Sequence, residues 1–202
     1  MASIRGKYED KGVQRYYEEE GSRYSNPHFP ILQEVVPSML DQLLPPLMPL
    51  SGGVLDLCCG SGEFTLIFRA WLERRQAEGP AISITGADPY TRDGYARWTG
   101  QKAERWSFQD ICDGVLEEGG LGGDPSYRAF DLVVISYAVH LLERSRYFAF
   151  FQSLARSSRH MLIISPTKNK GLVETAHGWE EVAYVSAQKV HSRMYKSLLL
   201  ME

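Results

Sequence analysis

Cysteine is scarce in this chain. Only Cys58, Cys59 and Cys112 occur, and no pair has the Cys-x-x-Cys spacing. Adjacent cysteines cannot easily wrap one tetrahedral zinc ion, and no histidine or cysteine cluster stands nearby to complete a ligand set. No metal is therefore expected, and small buried thiols in a reducing compartment are the plain reading. A long apolar run is also missing; none approaches the roughly 20 residues needed to span a bilayer. The opening stretch "MASIRGKYEDKGVQRYYEEEG" has no apolar h-region and carries several acids, which argues against a signal or transit peptide and for a cytoplasmic location. Nor is there an excess of positive charge, since 22 Lys and Arg face 25 Asp and Glu, for a net charge of -3. The basic face that nucleic-acid binding normally requires is absent, which disfavours tRNA or DNA as substrate.

What is present describes one ordinary domain. The 202 residues are 44% hydrophobic and 23% charged, enough for a full core with a polar surface. Residues 1–30 are mixed in charge and rich in tyrosine (Tyr8, Tyr16, Tyr17, Tyr24), and "YSNPHFP" ends them in an irregular segment. In "ILQEVVPSMLDQLL", Leu32, Val35, Val36, Met39, Leu40 and Leu43 share one helical face. Pro37 is expected to kink that helix or open a second one, and Pro45 and Pro46 to end it. "GGVLDLCC" reads as a short buried strand. "EFTLIFRAWLERRQ" is a helix with Phe64, Phe68 and Trp71 on one face, "AISITGAD" a strand and "YTRDGYARWTG" a helix stopped by Gly100. "AERWSFQDI" is expected to be a third strand. "FDLVVISYAV" is the most apolar strand. The helix after it repeats Leu141, Phe148, Phe151 and Ala155 at helical spacing, and "HMLIISPT" is a fifth strand. Two strand-like halves about Ser186 to Gln188 finish the chain.

Such alternation predicts an α/β fold. We expect a doubly wound, mostly parallel seven-stranded sheet with helices on both faces and a C-terminal antiparallel β-pair. The expected organisation is one domain over 1–202, with 1–30 an irregular lid and 31–202 the Rossmann-like core.

In such sheets the ligand sits beyond the carboxyl ends of the strands, where the strand order reverses. "CCGSG" stands there. Gly60 and Gly62 permit tight turns and close backbone approach, and the N–H groups of the next helix favour an anionic or electron-rich group. A phosphate-binding loop would end Gly-Lys-Ser/Thr, but this turn ends Gly62-Glu63-Phe64. A dinucleotide fingerprint needs a third glycine where Thr65 stands. Asp56 just before the turn opposes a pyrophosphate and suits a ligand with a positive group.

On these residues the sequence resembles the class I S-adenosylmethionine-dependent methyltransferases. "VLDLCCGSGEF" is similar to their first motif, Asp-x-x-x-Gly-x-Gly, with Cys58 where many members carry glycine. "ITGADP" resembles the second, whose acid binds the cofactor ribose hydroxyls; the matching residues are Asp88 and Pro89. "WSFQDI" resembles the motif whose acid meets the adenine amino group, here Asp110 with Ile111 against the ring. "FDLVVISYAVHLL" resembles the motif beside the sulfonium and brings Ser136 and Tyr137 with it. The resemblance implies S-adenosylmethionine as cofactor, S-adenosylhomocysteine as product, and cofactor contacts from Asp56, Cys58, Gly60, Gly62, Asp88, Pro89, Asp110, Ile111 and Ser136.

The acceptor is less constrained. The Asn/Asp-Pro-Pro-Tyr signature of many nitrogen methylases is missing after "FDLVVIS". A small-molecule oxygen or nitrogen is the first expectation, a protein acceptor the second. A methyltransferase-like scaffold without catalysis is the rival of another class, and a nicotinamide-dependent reductase is a further one. His140 could act as general base and Tyr137 could contact cofactor or acceptor. Tyr16, Tyr17, Tyr24 and His28 could cover the pocket with aromatic faces. Lys168 and Lys170 could meet an acidic acceptor. Arg193 and Tyr195 share one face of the last strand. Oligomeric state leaves no mark in the sequence.

Overall fold

The computed structural model describes residues 26–44, 53–75, 82–116, 130–168 and 170–200. The expected lid, including Tyr8, Tyr16, Tyr17 and Tyr24, lies outside the described residues apart from its end at Asn26–Pro30. Pro45 and Pro46 lie outside them too.

Helix α1, Phe29–Leu43, buries the six apolar residues whose spacing predicted its face. A single helix runs through Pro37 instead of a second one opening there. Strand β1, Val54–Leu57, is buried at every position, as befits a strand paired on both sides. Helix α2, Glu63–Arg74, stacks Phe64 on Phe68 at 5.4 Å and Phe68 on Trp71 at 5.5 Å. Then come β2, Ile84–Ala87, and α3, Arg92–Thr99, closed by Gly100 in the left-handed conformation at φ 74°. The short α4, Phe108–Cys112, precedes β3, Phe130–Ser136, the central apolar strand. Two 3-10 turns, Val139–Leu141 and Arg144–Arg146, lead into α5, Tyr147–Ser157, which passes directly into β4, Ser158–Ser165. A 3-10 turn at Thr175–His177 introduces the hairpin of β5, Trp179–Ala187, and β6, Val190–Ser197. Gln188 and Lys189 join them with φ of 47° and 64°, the two left-handed residues that a two-residue hairpin turn requires.

The sheet order is β2-β1-β3-β4-β6-β5, parallel except where β6 pairs antiparallel with β4 and β5. Two apolar clusters sandwich it by the strand period of two. Leu55, Leu57, Val133, Ile135, Met161, Ile163 and Tyr195 face α4 and α5, while Val54, Leu132, Val134, Leu162, Ile164 and Met194 face α1 and α2. No helix among the described residues is long and apolar enough to cross a membrane.

Two expectations need correction. Among the described residues the sheet has six strands, not seven. In "AERWSFQDI" only Glu104 pairs, through a single parallel bridge to Ala87, with Glu104 N–H on Gly86 O at 2.8 Å and Asp88 N–H on Glu104 O at 2.9 Å. Three residues later Ser107 caps α4 through a reciprocal box with Asp110, which turns the chain into a helix before a strand can extend. The second correction concerns Phe148, which is 54% exposed. Leu141 belongs to a separate turn, so the helical spacing counted from it does not carry into α5. There Phe150, Phe151, Leu154 and Ala155 form the buried face.

Candidate active site

The chain leaves β1 towards β2 on one side and later returns to β3 on the other, so a crevice opens beyond their carboxyl ends. A cavity of about 670 Å³ fills it. Cys58 and Gly60 line it after β1, Asp88 and Pro89 after β2, and Ser136 and Tyr137 at the end of β3. Trp106, Phe108 and Gln109 stand at the start of α4, and Leu141, Leu142, Glu143 and Arg146 complete the wall from the 3-10 turns.

The turn after β1 is left-handed at Cys58 (φ 59°), Gly60 (φ 56°) and Gly62 (φ 92°). Cys58 thus holds a conformation that costs a side-chain-bearing residue energy, which explains why glycine suits this position so well. Gly62 is required twice over, because a Cβ there would lie 2.4 Å from Thr99 Cγ2 on α3.

Three carboxylates hold this turn. Asp88 Oδ2 accepts from Gly60 N–H at 3.4 Å, Glu63 Oε2 from Ser61 N–H at 3.0 Å, and Asp56 Oδ2 from Thr65 N–H at 3.2 Å and Thr65 Oγ1 at 2.7 Å. Gly62 N–H is bonded to Cys59 O at 2.8 Å. Most N–H groups that a phosphate would seek are therefore already taken by the protein's own oxygens. Burial pushes the Asp56 carboxyl up to about 7, against the lowering effect of the Thr65 hydroxyl. Burial also raises Glu63 and Asp88, opposed in each by backbone N–H bonds. The Cys58 thiol is pushed up as well, by burial and then by the neighbouring Asp88 and Asp56.

Of the residues expected at the site, Cys58, Gly60, Asp88, Pro89, Ser136 and Tyr137 are on the cavity wall. Asp56 and Gly62 lie behind the turn. Asp56 faces Thr65, whose hydroxyl is 3.2 Å from Tyr95 Oη. Asp110 and Ile111 are off the wall. The Asp110 carboxylate accepts from Ser107 N–H at 2.7 Å and Ser107 Oγ at 2.6 Å, which holds it below the usual carboxylate range, while Ile111 is fully buried in the core. His140 is exposed on the 3-10 turn, whose neighbours Ala138, Leu141 and Leu142 line the cavity while His140 does not. Lys168 and Lys170 are exposed and off the wall, and Lys168 O accepts from Arg193 Nε at 2.7 Å. Arg193 itself pairs with Glu181 at 2.6 Å. Of the aromatic cover, only His28 is described; its ring lies 5.0 Å from that of Tyr137.

Sequence reasoning passed over Trp106, Phe108, Gln109, Glu143 and Arg146. The pattern Ser107-x-x-Asp110 was the available signal, since it marks a helix start that would have brought Phe108 and Gln109 to the strand ends. The bond from Arg146 to Gln109 Oε1 joins residues 37 apart and has no local signature.

No protein-family model matches the sequence, and no curated protein matches it. Solved structures do. The PH0226 protein from Pyrococcus horikoshii OT3 superposes with a TM-score of 0.54 at 12% identity, over 96% of this chain and 100% of that one. An rRNA methylase from Escherichia coli gives 0.52 at 17% identity, over 96% and 86%. The magnesium protoporphyrin IX methyltransferase ChlM from Synechocystis PCC 6803, solved with bound SAM, gives 0.50 at 15% identity, over 96% and 94%. The fold is that of the class I methyltransferases.

Proposed function

We propose that the chain is an S-adenosylmethionine-dependent methyltransferase that moves a methyl group to an oxygen or nitrogen of a small molecule. The observation that carries this reading is the ring of buried carboxylates on the glycine turn. Asp56, Glu63 and Asp88 occupy N–H groups of the turn and helix start that would hold a pyrophosphate, and Asp88 puts a carboxylate on the cavity wall beside it. That arrangement disfavours a nicotinamide dinucleotide and suits a ligand bearing a sulfonium and an ammonium group.

The cavity fits such a ligand. Asp88 Oδ1 accepts two N–H groups, from Tyr90 at 2.8 Å and Thr91 at 3.0 Å, while Oδ2 accepts a long bond from Gly60 N–H at 3.4 Å. A carboxylate has about four acceptor sites, so Oδ2 keeps capacity for a ribose hydroxyl. Trp106 and Phe108 offer an aromatic wall to the base, and Gly60 lets the methionine part approach the backbone. A volume of about 670 Å³ is in the range of small-molecule sites.

When bound, S-adenosylmethionine supplies an electrophilic methyl group, so the protein's work is orientation and exclusion of water. Tyr137 is placed for orientation. Burial raises its phenol above the ordinary value, so it stays protonated at neutral pH and can donate to an acceptor oxygen or nitrogen. Leu141 and Leu142 dry the same wall.

Thermal unfolding with S-adenosylmethionine, S-adenosylhomocysteine and NAD in parallel tests the reading. A ligand at about 100 times its Kd adds about 2.7 kcal/mol, a rise of a few degrees for a domain of this size. The rise is expected with both adenosyl compounds, absent with NAD, and lost in Asp88→Ala through roughly 100-fold weaker binding, about two hydrogen bonds to a charged group. No rise with either adenosyl compound would leave the fold as a scaffold without its cofactor.

A further inference from the structure

Glu63 does more than begin α2. Its two carboxylate oxygens serve two distant parts of the chain. Oε2 accepts from Ser61 N–H within the glycine turn at 3.0 Å, and Oε1 accepts from Asn26 N–H, 37 residues away, also at 3.0 Å. Both donors belong to buried residues, Asn26 at 8% exposure and Ser61 at 4%, so neither N–H is readily handed to solvent.

Asn26 passes the connection on. Its Oδ1 accepts from His28 N–H at 2.9 Å and its backbone O from Phe29 N–H at 3.0 Å, which sets the first turn of α1. The His28 ring then leans on Tyr137 at 5.0 Å, and Tyr137 lines the cavity. A continuous path therefore runs from the glycine turn through Glu63, Asn26 and His28 back to the wall of the same cavity at the end of β3.

We propose that Glu63 is a positioning residue that latches the Asn26–His28 segment to the glycine turn, so that cofactor binding and the seating of α1 are coupled. This rests on the methyltransferase reading, because the ligand that would touch both ends of the path is the adenosyl cofactor. A ligand contacting the turn and Tyr137 favours the latched arrangement, and by reciprocity loosening the latch weakens the ligand.

The test uses S-adenosylhomocysteine with the full chain and its Glu63→Gln and Glu63→Ala variants. Calorimetry gives the Kd, and hydrogen exchange reads the amides of Asn26 and Ser61 with and without ligand. Glu63→Gln keeps one acceptor oxygen and serves if the alanine variant fails to fold. Wild type is expected to bind and to protect both amides further when bound. Glu63→Gln should weaken binding about fivefold and Glu63→Ala at least about tenfold, the effect of one charged hydrogen bond, with the ligand-dependent protection of Asn26 lost. Variants that lose thermal stability yet bind within twofold of wild type would overturn the latch, as would weaker binding with Asn26 exchange indifferent to ligand. Failure of the wild type to bind would instead sink the methyltransferase reading beneath it.

Discussion

Strands β1 and β3 end in the same backbone device and in opposite surroundings. Cys58 after β1 and Tyr137 after β3 are both left-handed, at φ 59° and 57°, and both line the cavity. Beyond Cys58 the turn is fastened at Gly60, Ser61 and Thr65 by three buried carboxylates and crossed by α3. At Tyr137 the backbone has one sheet bond, Tyr137 N–H to Ile164 O at 2.8 Å, and the turns beyond it mix buried Ala138, Val139 and Leu142 with exposed His140, Glu143, Arg144 and Ser145. The first strained residue opens a turn fastened by carboxylates, whereas the second is held by that sheet bond and by packing on the His28 ring and the apolar cluster of α1 and α2. Under the methyltransferase reading, that difference suits a fixed cofactor on the carboxylate-fastened turn and the acceptor on the other wall.

The largest expected effect tests the locked side. In Gly62→Ala the new Cβ would meet Thr99 Cγ2 at 2.4 Å and Tyr95 Cδ2 at 3.2 Å, on a backbone at φ 92°. Gly100→Ala has a similar φ of 74° but nothing within 4 Å. Urea denaturation should show about 1–2 kcal/mol lost at Gly100, the cost of the left-handed backbone alone. At Gly62 the loss should exceed 4 kcal/mol or abolish folding, roughly the threshold for severe core disruption. Equal losses at the two sites would mean that the turn yields and is not locked.

How much of this was legible depended on whether the cause was local. The face of α1 and the stack of Phe64, Phe68 and Trp71 follow from helical periodicity, which neighbouring residues carry. The turn at Gly60 and Gly62 was visible because only glycine takes such a backbone freely. The missing strand was misread because "AERWSF" has strand-like composition, while the capping of α4 by Ser107 and Asp110 decides the outcome. The expectation for Asp110 rests on the resemblance of "WSFQDI" to a family motif, and its carboxylate here accepts from Ser107 N–H and Oγ. Glu63 and Asn26, or Arg146 and Gln109, meet only through the tertiary fold, and no spacing rule reports contacts 37 residues apart.

A smaller effect distinguishes the two strand ends by charge. Asp56 titrates near 7 in the fold against an ordinary 3.8, so the folded protein binds this proton more tightly than the unfolded chain. Its contribution to stability is complete below about pH 4 and is lost as pH rises through 7, and the raised Glu63 and Asp88 act in the same direction. Asp56→Asn removes the titration and keeps an oxygen for Thr65. Denaturation across pH 4 to 8 should then show a fall in stability with pH that is shallower by up to about 1.4 kcal/mol per pH unit, the limit for one proton. An unchanged slope would separate Asp56 from the charge balance of the turn.

The smallest expected change falls on the open side and separates its two candidate groups. Tyr137 is on the wall, whereas His140 stands exposed three residues further along. General base catalysis is worth about 100-fold or more, whereas one orienting hydrogen bond is worth about tenfold. In a screen of phenols, carboxylic acids and amines as methyl acceptors, Tyr137→Phe should slow turnover about tenfold, since it keeps the ring against His28 and removes only the hydroxyl. His140→Ala should stay within about twofold of wild type, as an exposed group off the wall usually does. Both should leave S-adenosylhomocysteine affinity intact, because Tyr137→Phe keeps the ring that faces the cavity and His28, and His140 is off the wall. A 100-fold loss at His140 alone would mean that its turn closes over the acceptor and carries the base inward. The open wall would then be a moving part, and the contrast with the locked turn would be sharper still.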